Sequence, residues 1–390
     1  MPLRGSFIAF LLAIRLAAPA GAADRKIDPV QAEAAAAAGL FYDLQLDRAL
    51  KAADDIEQRH PRHPAGPFYK GIHYYLRLLV SESISTGTVN AFESQMLRCV
   101  SAAENGQDLA PATAEYYMGA AYGFKARVSV MRRNWFDALR EARLAVSHVQ
   151  KAADLDPSMD DLYLGLGMYH YYMARLPVGL KPFAYLLIGL WGDREKGLAE
   201  LERAAQRAAA AGPEAMEVLA YVYGSDAEGQ WEKADAFLKK LIERYPGNPC
   251  YRIWRAHSAA RRGRWKESVE ILDVDGKWQS GVSPEIRPLS SAYARYLAAE
   301  SLLLAGDAAG AERQLDALES SAPPYFLRGR ILLRRANLVD LQGKREQALA
   351  LYRQAEGRAA ERAAAFIETP FSSGTDTPLP LDWPRFAMPD

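Results

Sequence analysis

The pattern of apolar and polar positions in this chain is that of helices rather than strands. Alternating β-branched runs bounded by turns, which predict strands, are nearly absent. Apolar stretches are instead separated by glycine and proline turns, which end helices. We therefore predict an all-helical chain whose helix pairs span residues 28–60, 66–105, 111–156, 158–211, 213–245, 248–274, 287–321 and 323–366.

A glycine followed five residues later by a small residue recurs along the chain. We expect the glycine to end one helix in the left-handed conformation, and the small residue to let the next helix approach its partner closely. Two of these turns also carry a tryptophan, and their glycines lie 34 residues apart, which is the length of one class of helical repeat. The five turns are Gly192–Gly197, Gly229–Ala234, Gly263–Ser268, Gly306–Ala311 and Gly343–Ala348.

The first residues have the composition of a secretory signal peptide. Arg4, a short apolar run and a stretch of small residues precede Asp24, as is typical of such signals. We expect residues 1–23 to be removed by cleavage after Ala22 or Ala23. The mature protein is then periplasmic or secreted.

The last residues are rich in proline, which cannot continue a helix. We expect a helical domain over residues 24–366 and an extended tail over 367–390. Apolar side chains such as Phe371 and Trp383 favour a tail that lies along the helices, whereas a disordered tail is the alternative.

Composition and motifs exclude several classes of function. The chain has 48 basic and 48 acidic residues, whereas nucleic-acid binding requires clustered positive charge. The six histidines form no His-Glu-x-x-His pair, so we predict no metal site. The turn at Gly192 lacks the Lys-Ser/Thr ending of a phosphate-binding loop, and no Gly-x-Ser-x-Gly motif occurs. We expect no catalytic residue and no cofactor.

We interpret the two cysteines and the carboxylates of the helices as structural residues. Cys99 and Cys250 are far apart in sequence, and we predict two buried, unpaired thiols. Carboxylates within the helices are interpreted as solvated faces or helix caps, with no pair that forms an acid–base couple. Examples are Glu115, Asp160, Asp161 and Glu217.

Residues 71–76 and 167–173 share a motif of glycine, histidine and adjacent tyrosines. With 3.6 residues per helical turn, neighbouring tyrosines cannot all face the same side. One of each pair is expected to pack between helices while the other reaches a groove, and packing alone is the alternative. The candidate partner-binding residues on the concave face are Tyr74, Tyr75, Tyr171, Tyr172, Tyr221 and Trp254.

The most unusual segment is the apolar stretch 176–191, which we call the elbow. It is too short and too interrupted by Pro177 and Pro182 to span a membrane. We expect it to be buried between two helix pairs. The alternative is an exposed surface that contacts a partner or a membrane through Phe183, Leu186, Leu187 and Trp191.

The glycine turns and paired helices resemble the tetratricopeptide repeat (TPR) superfamily over most of residues 24–366. Residues 163–201, which end in Gly-Leu-Trp-Gly-Asp-Arg-Glu-Lys-Gly-Leu-Ala-Glu-Leu, are similar to exported bacterial relatives of the inclusion-body-clearance and mitochondrial outer-membrane TPR family. The resemblance implies a right-handed superhelical α-solenoid without enzymatic activity. It transfers no binding residues to this chain.

From these observations we expect an exported, non-enzymatic scaffold or adaptor that binds a protein or peptide in its concave groove. Two alternatives stay open. One is a peripheral membrane protein that docks through the elbow, which exposure of its apolar side chains would favour. The other is an accessory domain of an envelope enzyme, which a cluster of strongly perturbed carboxylates in a closed pocket near the elbow would favour.

Overall fold

A computed structural model of the chain describes residues 30–81, 84–106, 108–175, 192–374 and 376–381. These residues form α-helices and two short 3-10 helices, at Lys277–Gly281 and Tyr325–Leu327, and contain no strand. The predicted all-helical fold is confirmed. The predicted signal peptide and the elbow, with Phe183, Leu186, Leu187 and Trp191, lie outside the described residues.

The described part of the chain contains seventeen α-helices. In chain order they are α1 (Gln31–Tyr42), α2 (Leu46–Arg59), α3 (Ala65–Val80), α4 (Thr86–Asn105), α5 (Pro111–Met131), α6 (Trp135–Leu155), α7 (Leu162–Arg175), α8 (Arg194–Arg207), α9 (Gly212–Tyr223), α10 (Trp231–Arg244), α11 (Pro249–Arg261), α12 (Trp265–Leu272), α13 (Arg287–Leu304), α14 (Ala308–Ser320), α15 (Arg328–Leu341), α16 (Arg345–Tyr352) and α17 (Arg358–Glu368). None of them is long and apolar enough to cross a membrane.

The helices pack in the order of the chain. Each helix contacts the next one, and odd-numbered helices also contact each other: α1 with α3, α3 with α5, α5 with α7, α7 with α9, α11 with α13, α13 with α15 and α15 with α17. The odd-numbered helices therefore share one side of the molecule, which we call the odd-helix face.

Seven of the eight predicted helix pairs correspond to the observed pairs α1–α2 through α13–α14, with ends displaced by a few residues. The prediction of a single pair at 323–366 was wrong. That region contains α15, α16 and most of α17, because α16 ends at Tyr352 and a turn at Gly357 with φ of 59° precedes another helix.

Most turns within a helix pair place a left-handed residue two positions before the second helix. Gly229, Gly263, Gly306 and Gly343 have φ between 61° and 87°, so the predicted left-handed turns are confirmed at these four positions. Glycine suits them because it has no Cβ to clash.

Two other turns depart from the glycine pattern. Leu44 and Arg133 occupy the same position with φ of 52° and 58°, which is why the glycine pattern did not mark the turns before α2 and α6. The turn predicted at Gly192 begins in residues outside the described ranges. Gly192 itself is closely packed, because a Cβ there would lie 2.0 Å from the backbone nitrogen of Ala174.

The small residues that follow these turns are buried where two helices meet. Ala234, Ser268, Ala311 and Ala348 are at most 1% exposed. At Gly197, a Cβ would lie 2.5 Å from the backbone nitrogen of Tyr171. The close approach predicted from sequence is therefore present in the fold.

Helix α1 also meets the turn between α10 and α11, 204 residues further along the chain. The Asp43 carboxylate accepts a hydrogen bond from the backbone nitrogen of Gly247 at 2.7 Å, and Asn248 Nδ2 donates to the carbonyl of Tyr42 at 2.8 Å. The rings of Tyr42 and Tyr245 lie 5.7 Å apart. This contact, which we call the latch, brings α1 and α11 together, so that the odd helices between them surround a common space.

The described residues after α17 contain no helix, and they cross α11, α13 and α15. The backbone nitrogen of Leu379 donates to Glu300 at 3.3 Å, and its carbonyl accepts from His257 Nε2 at 3.0 Å. Asp376 accepts from Arg334 at 2.7 Å. Phe371, Asp376 and Leu379 are buried. We call residues 376–381 the tail segment.

Both cysteines are buried and unpaired, as predicted. Burial raises the pKa of the Cys99 and Cys250 thiols well above their ordinary value. The reactive thiolate is therefore disfavoured at both positions.

Candidate binding pocket

The space enclosed behind the latch is a cavity of about 530 Å³, which we call the pocket. It is lined by α1, α3, α5, α6, α7, α9 and α11. Apolar and aromatic side chains supply most of its wall. This size and lining are those of pockets that bind small organic groups.

Helical periodicity explains which residues reach the pocket. On α9 the lining residues Glu214, Glu217, Val218 and Tyr221 follow the i, i+3, i+4, i+7 pattern, so they share one side of the helix. A stripe on α5 with similar spacing contributes Tyr116, Ala120, Gly123 and Arg127. Each odd helix thus presents one face to the same space.

Four of the six candidate residues meet in this pocket. Tyr75, Tyr172, Tyr221 and Trp254 all line it, although they come from four different helices. Tyr75 is 6% exposed, and its ring packs edge-on against Phe124 with centroids 5.0 Å apart. These four side chains form part of one aromatic wall.

The other two candidates are not among the lining residues. Tyr74 lies beside His73 with ring centroids 5.3 Å apart. Tyr171 is buried, and its hydroxyl donates to Glu228 at 3.0 Å. In each adjacent pair, therefore, one tyrosine packs elsewhere and the next one reaches the pocket.

A partly buried ion pair interrupts the apolar wall. Arg127 Nη1 lies 2.5 Å from Glu214 Oε1, and the Arg127 guanidinium lies 4.7 Å from the centre of the Phe124 ring. The same guanidinium donates a hydrogen bond to the Tyr75 hydroxyl. Burial opposes the charge of Arg127, but the charge of Glu214, the Tyr75 hydroxyl and the hydrogen bonds to both together raise the pKa of the guanidinium.

Glu217 lies on the same face of α9, one turn after Glu214. The Tyr251 hydroxyl donates a hydrogen bond to it. Burial raises the pKa of Glu217 to about 7, the charge of Glu214 adds to this shift, and the Tyr251 hydrogen bond and Arg127 oppose it. The interpretation of Glu217 as a solvated carboxylate was wrong, because the latch and the neighbouring odd helices enclose it.

The other carboxylates singled out from the sequence have structural partners. Asp161 accepts hydrogen bonds from three successive backbone nitrogens, those of residues 209–211, at 2.7–3.1 Å. It thereby holds the loop that leads into α9 from the turn before α7. Glu115 forms a hydrogen bond with His148 at 2.7 Å, and Asp160 accepts one from Arg203 at 2.6 Å.

Sequence reasoning missed most of the pocket, including its ion pair. The helical stripe on α9 holds two carboxylates among apolar residues, and that pattern was the available indication of Glu214 and Glu217. Nothing local in the sequence indicated that α1 and α11 meet. The missed lining residues include Tyr42, Tyr69, Tyr116, Arg127, Glu214 and Tyr251.

Within the described ranges, no group of histidine, cysteine, aspartate or glutamate side chains has the arrangement of a metal site. No protein-family model matches the chain, and no curated protein matches it either. The functional argument therefore depends on the pocket and on the odd-helix face.

Proposed function

We propose that this chain is an exported, non-enzymatic TPR-like scaffold that binds a protein or peptide partner on its odd-helix face. The observation that carries this proposal is the tail segment, an extended stretch of the chain held on that face. The partner is expected to use the same face nearer the amino terminus, where the pocket lies.

The tail segment is held largely through its backbone. Glu300 on α13 accepts a hydrogen bond from the backbone nitrogen of Leu379, and His257 on α11 donates one to its carbonyl. Arg330 on α15 donates to the carbonyl of Pro380. Contacts to backbone groups do not depend on side-chain identity. The odd-helix face therefore has the chemistry needed to hold an extended peptide.

The pocket supplies what an anchor residue of a partner needs. Its aromatic wall buries apolar surface, which contributes roughly 25 cal/mol per Å². A few large, buried side chains dominate the affinity of many protein interfaces. A partner segment that inserts one apolar group into the pocket would gain most of its binding energy there.

The order of helix contacts supports the TPR-like part of the proposal. In helical-repeat proteins each repeat contacts its neighbours, and stacking the repeats buries a continuous core. The contacts between successive odd helices fit this scheme. We propose a right-handed solenoid in which the odd-helix face is the concave side, and export to the periplasm or beyond through residues 1–23.

One specific observation supports the enzyme alternative: the pKa of Glu217 is raised in the pocket. Acid–base catalysis needs a second group placed to exchange a proton with the substrate. The neighbouring Glu214 is instead paired with Arg127. We therefore favour binding. The membrane alternative rests on the elbow sequence alone.

Site-specific photo-crosslinking in cells tests the proposal, with the probe at Tyr172, Tyr221 or Trp254 in the pocket. Tyr74 is the matched control, since it belongs to the same motif but does not line the pocket. We expect one partner protein to be captured from the pocket positions and not from Tyr74. Purified Tyr172→Ala protein should then bind the captured segment at least tenfold more weakly in calorimetry.

Two results would contradict the proposal. One is equal capture from Tyr74 and from the pocket positions. The other is unchanged affinity of the Tyr172→Ala variant for the captured segment.

A further inference from the structure

We infer that the pocket takes an apolar group that ends in a positively charged nitrogen, supplied either by a lysine side chain of the partner or by a free alkylamine. This inference rests on the proposed binding function of the pocket, and it specifies the chemistry of the ligand. It follows from how the charged side chains of the pocket wall are compensated.

Four charged side chains are found among the described lining residues: Asp161, Glu214, Glu217 and Arg127. Three of them are compensated within the protein. Asp161 receives three backbone N–H groups, and Glu214 is paired with Arg127. Glu217 has the Tyr251 hydroxyl as donor, which is a neutral group. When Glu217 is ionised, it is the one carboxylate among these described residues that has neither a positively charged partner nor backbone N–H donors.

Among the described residues, the groups that face Glu217 do not cancel its charge. Arg127 on α5 is attracted to it but is already paired with Glu214, a like charge on the same helix as Glu217. The other groups coupled to Glu217 are neutral in the ordinary pH range: Tyr42 from α1, Tyr75 from α3, Tyr245 from the α10–α11 turn, and Cys250 and Tyr251 from α11.

Aromatic rings make the rest of the wall suitable for a cation. The face of a tyrosine or tryptophan ring attracts a positive charge, and by more when water is excluded. Tyr42, Tyr172, Tyr221 and Trp254 all line the pocket. An ammonium group would compensate Glu217 while its apolar body replaces water along the wall.

The same arrangement disfavours other ligand charges. A carboxylate would add a second negative charge beside Glu217 and would have to compete with Glu214 for Arg127. A neutral alcohol gains apolar burial without any charge compensation. We therefore expect the order of affinity to be ammonium, then alcohol, then carboxylate.

Calorimetric titration of the full chain at pH 8 with decylammonium, decan-1-ol and decanoate tests this order, because the three probes share one apolar body. Decylammonium is expected to bind at least tenfold more tightly than decanoate. Its affinity should rise at least threefold between pH 6 and pH 8, since Glu217 ionises over that range.

A second pair of probes distinguishes the two sources of the nitrogen. The peptide Gly-Leu-Lys-Leu-Gly with blocked ends is compared with the same peptide carrying norleucine for lysine. A tenfold preference for the lysine peptide identifies a partner side chain as the source. A preference confined to decylammonium identifies a free amine.

Glu217→Gln should bring the affinity for decylammonium down to that for decan-1-ol. Glu202→Gln is the matched control, because Glu202 also accepts a hydrogen bond from a tyrosine hydroxyl, that of Tyr223, but does not line the pocket. It should leave the preference unchanged. Circular dichroism and the melting temperature verify that both variants fold.

The possible outcomes separate the inference from the function it rests on. Decanoate binding as tightly as decylammonium, or a preference for ammonium that survives Glu217→Gln, would overturn the inference. It would leave the pocket as a binding site for apolar groups. If none of the five probes binds, the pocket itself loses its proposed role.

Discussion

Burial gives Glu217 an unusual influence on the pH dependence of folding. Its pKa is about 7 in the folded protein, against an ordinary value of 4.5. The folded state therefore keeps a proton that the unfolded chain releases. The stabilisation from this proton is fully present below pH 4.5 and is lost as the pH rises through 7.

We predict that Glu217→Gln removes this pH dependence. Each unit of pKa shift corresponds to about 1.4 kcal/mol. The unfolding free energy of the variant, measured relative to that of the wild type, should therefore rise by about 2–3 kcal/mol when the pH is raised from 4.5 to 8. Urea unfolding of both proteins at the two pH values measures this. A constant difference between them would show that folding leaves the pKa of Glu217 unchanged.

Arg334, unlike Glu217, is a buried charged side chain that is paired with opposite charges. Its side chain is fully buried, and it bonds Glu300 at 2.6 Å and Asp376 at 2.7 Å. The guanidinium thus joins α15 to α13 and to the tail segment. Removing one partner of a buried ion pair leaves the others uncompensated, which typically costs 3–5 kcal/mol.

We predict that Arg334→Ala lowers the unfolding free energy by about 3–5 kcal/mol. Arg335→Ala, at the next position on α15, is the control. Arg335 pairs with the exposed carboxylates of Asp316 and Glu319, and such pairs contribute at most about 1 kcal/mol. Chemical denaturation compares the two variants, and equal losses would contradict the structural role of Arg334.

At the scale of single helices, close approach decides which glycines are needed. A Cβ on Gly167 of α7 would lie 2.8 Å from the backbone of both Gly197 and Leu201 on α8. Backbone atoms cannot move aside as a flexible side chain can. At Gly165, two residues earlier, a Cβ would meet the Val149 side chain at 3.5 Å, an ordinary contact.

The two glycines of α7 should therefore respond oppositely to alanine. Gly167→Ala is expected to destabilise the protein by about 1–3 kcal/mol through overpacking. Gly165→Ala should be neutral or stabilise it by up to about 1 kcal/mol, because alanine favours a helix interior. Melting temperatures of the two variants test this, and a stable Gly167→Ala protein would mean that α7 and α8 lie further apart.

The turns show how far local sequence predicts an element. Gly229, Gly263, Gly306 and Gly343 marked their turns because a left-handed residue is easiest for glycine. Leu44 and Arg133 take the same conformation, and no local pattern identified them. Only the packing of the helices on either side holds these residues in that position.

At the scale of the whole molecule, the latch closes the pocket. A backbone nitrogen, a carboxylate and an amide side chain join α1 to the α10–α11 turn. The contact connects residues 204 positions apart, so no pattern within one repeat reveals it. Residues of the pocket wall become neighbours because this contact brings α1 beside the α10–α11 turn.

We predict that Asp43→Ala loosens this closure. Loss of the acceptor should make the amide hydrogen of Gly247 exchange at least ten times faster, since its hydrogen bond to the Asp43 carboxylate is removed. The amide of Tyr245, which donates to Leu241 within α10, is the internal control. Hydrogen exchange followed by mass spectrometry measures both, and equal protection of Gly247 in variant and wild type would show that the latch does not depend on Asp43.

The sequence by itself determined the helices, most of their pairing, and the small residues between paired helices. These features depend on interactions within about 40 residues, where helical period, glycine conformation and proline leave a local pattern. It also indicated that one tyrosine of each adjacent pair reaches a groove, because helical geometry separates neighbours.

Only the tertiary structure decided which tyrosines meet, and that Glu217 and the Arg127–Glu214 pair face the same pocket. It also placed the tail segment on α11, α13 and α15. These outcomes depend on contacts between segments that lie far apart in the sequence, which leave no local pattern. One such contact places α1 against the α10–α11 turn. Burial among these segments raises the pKa of Glu217.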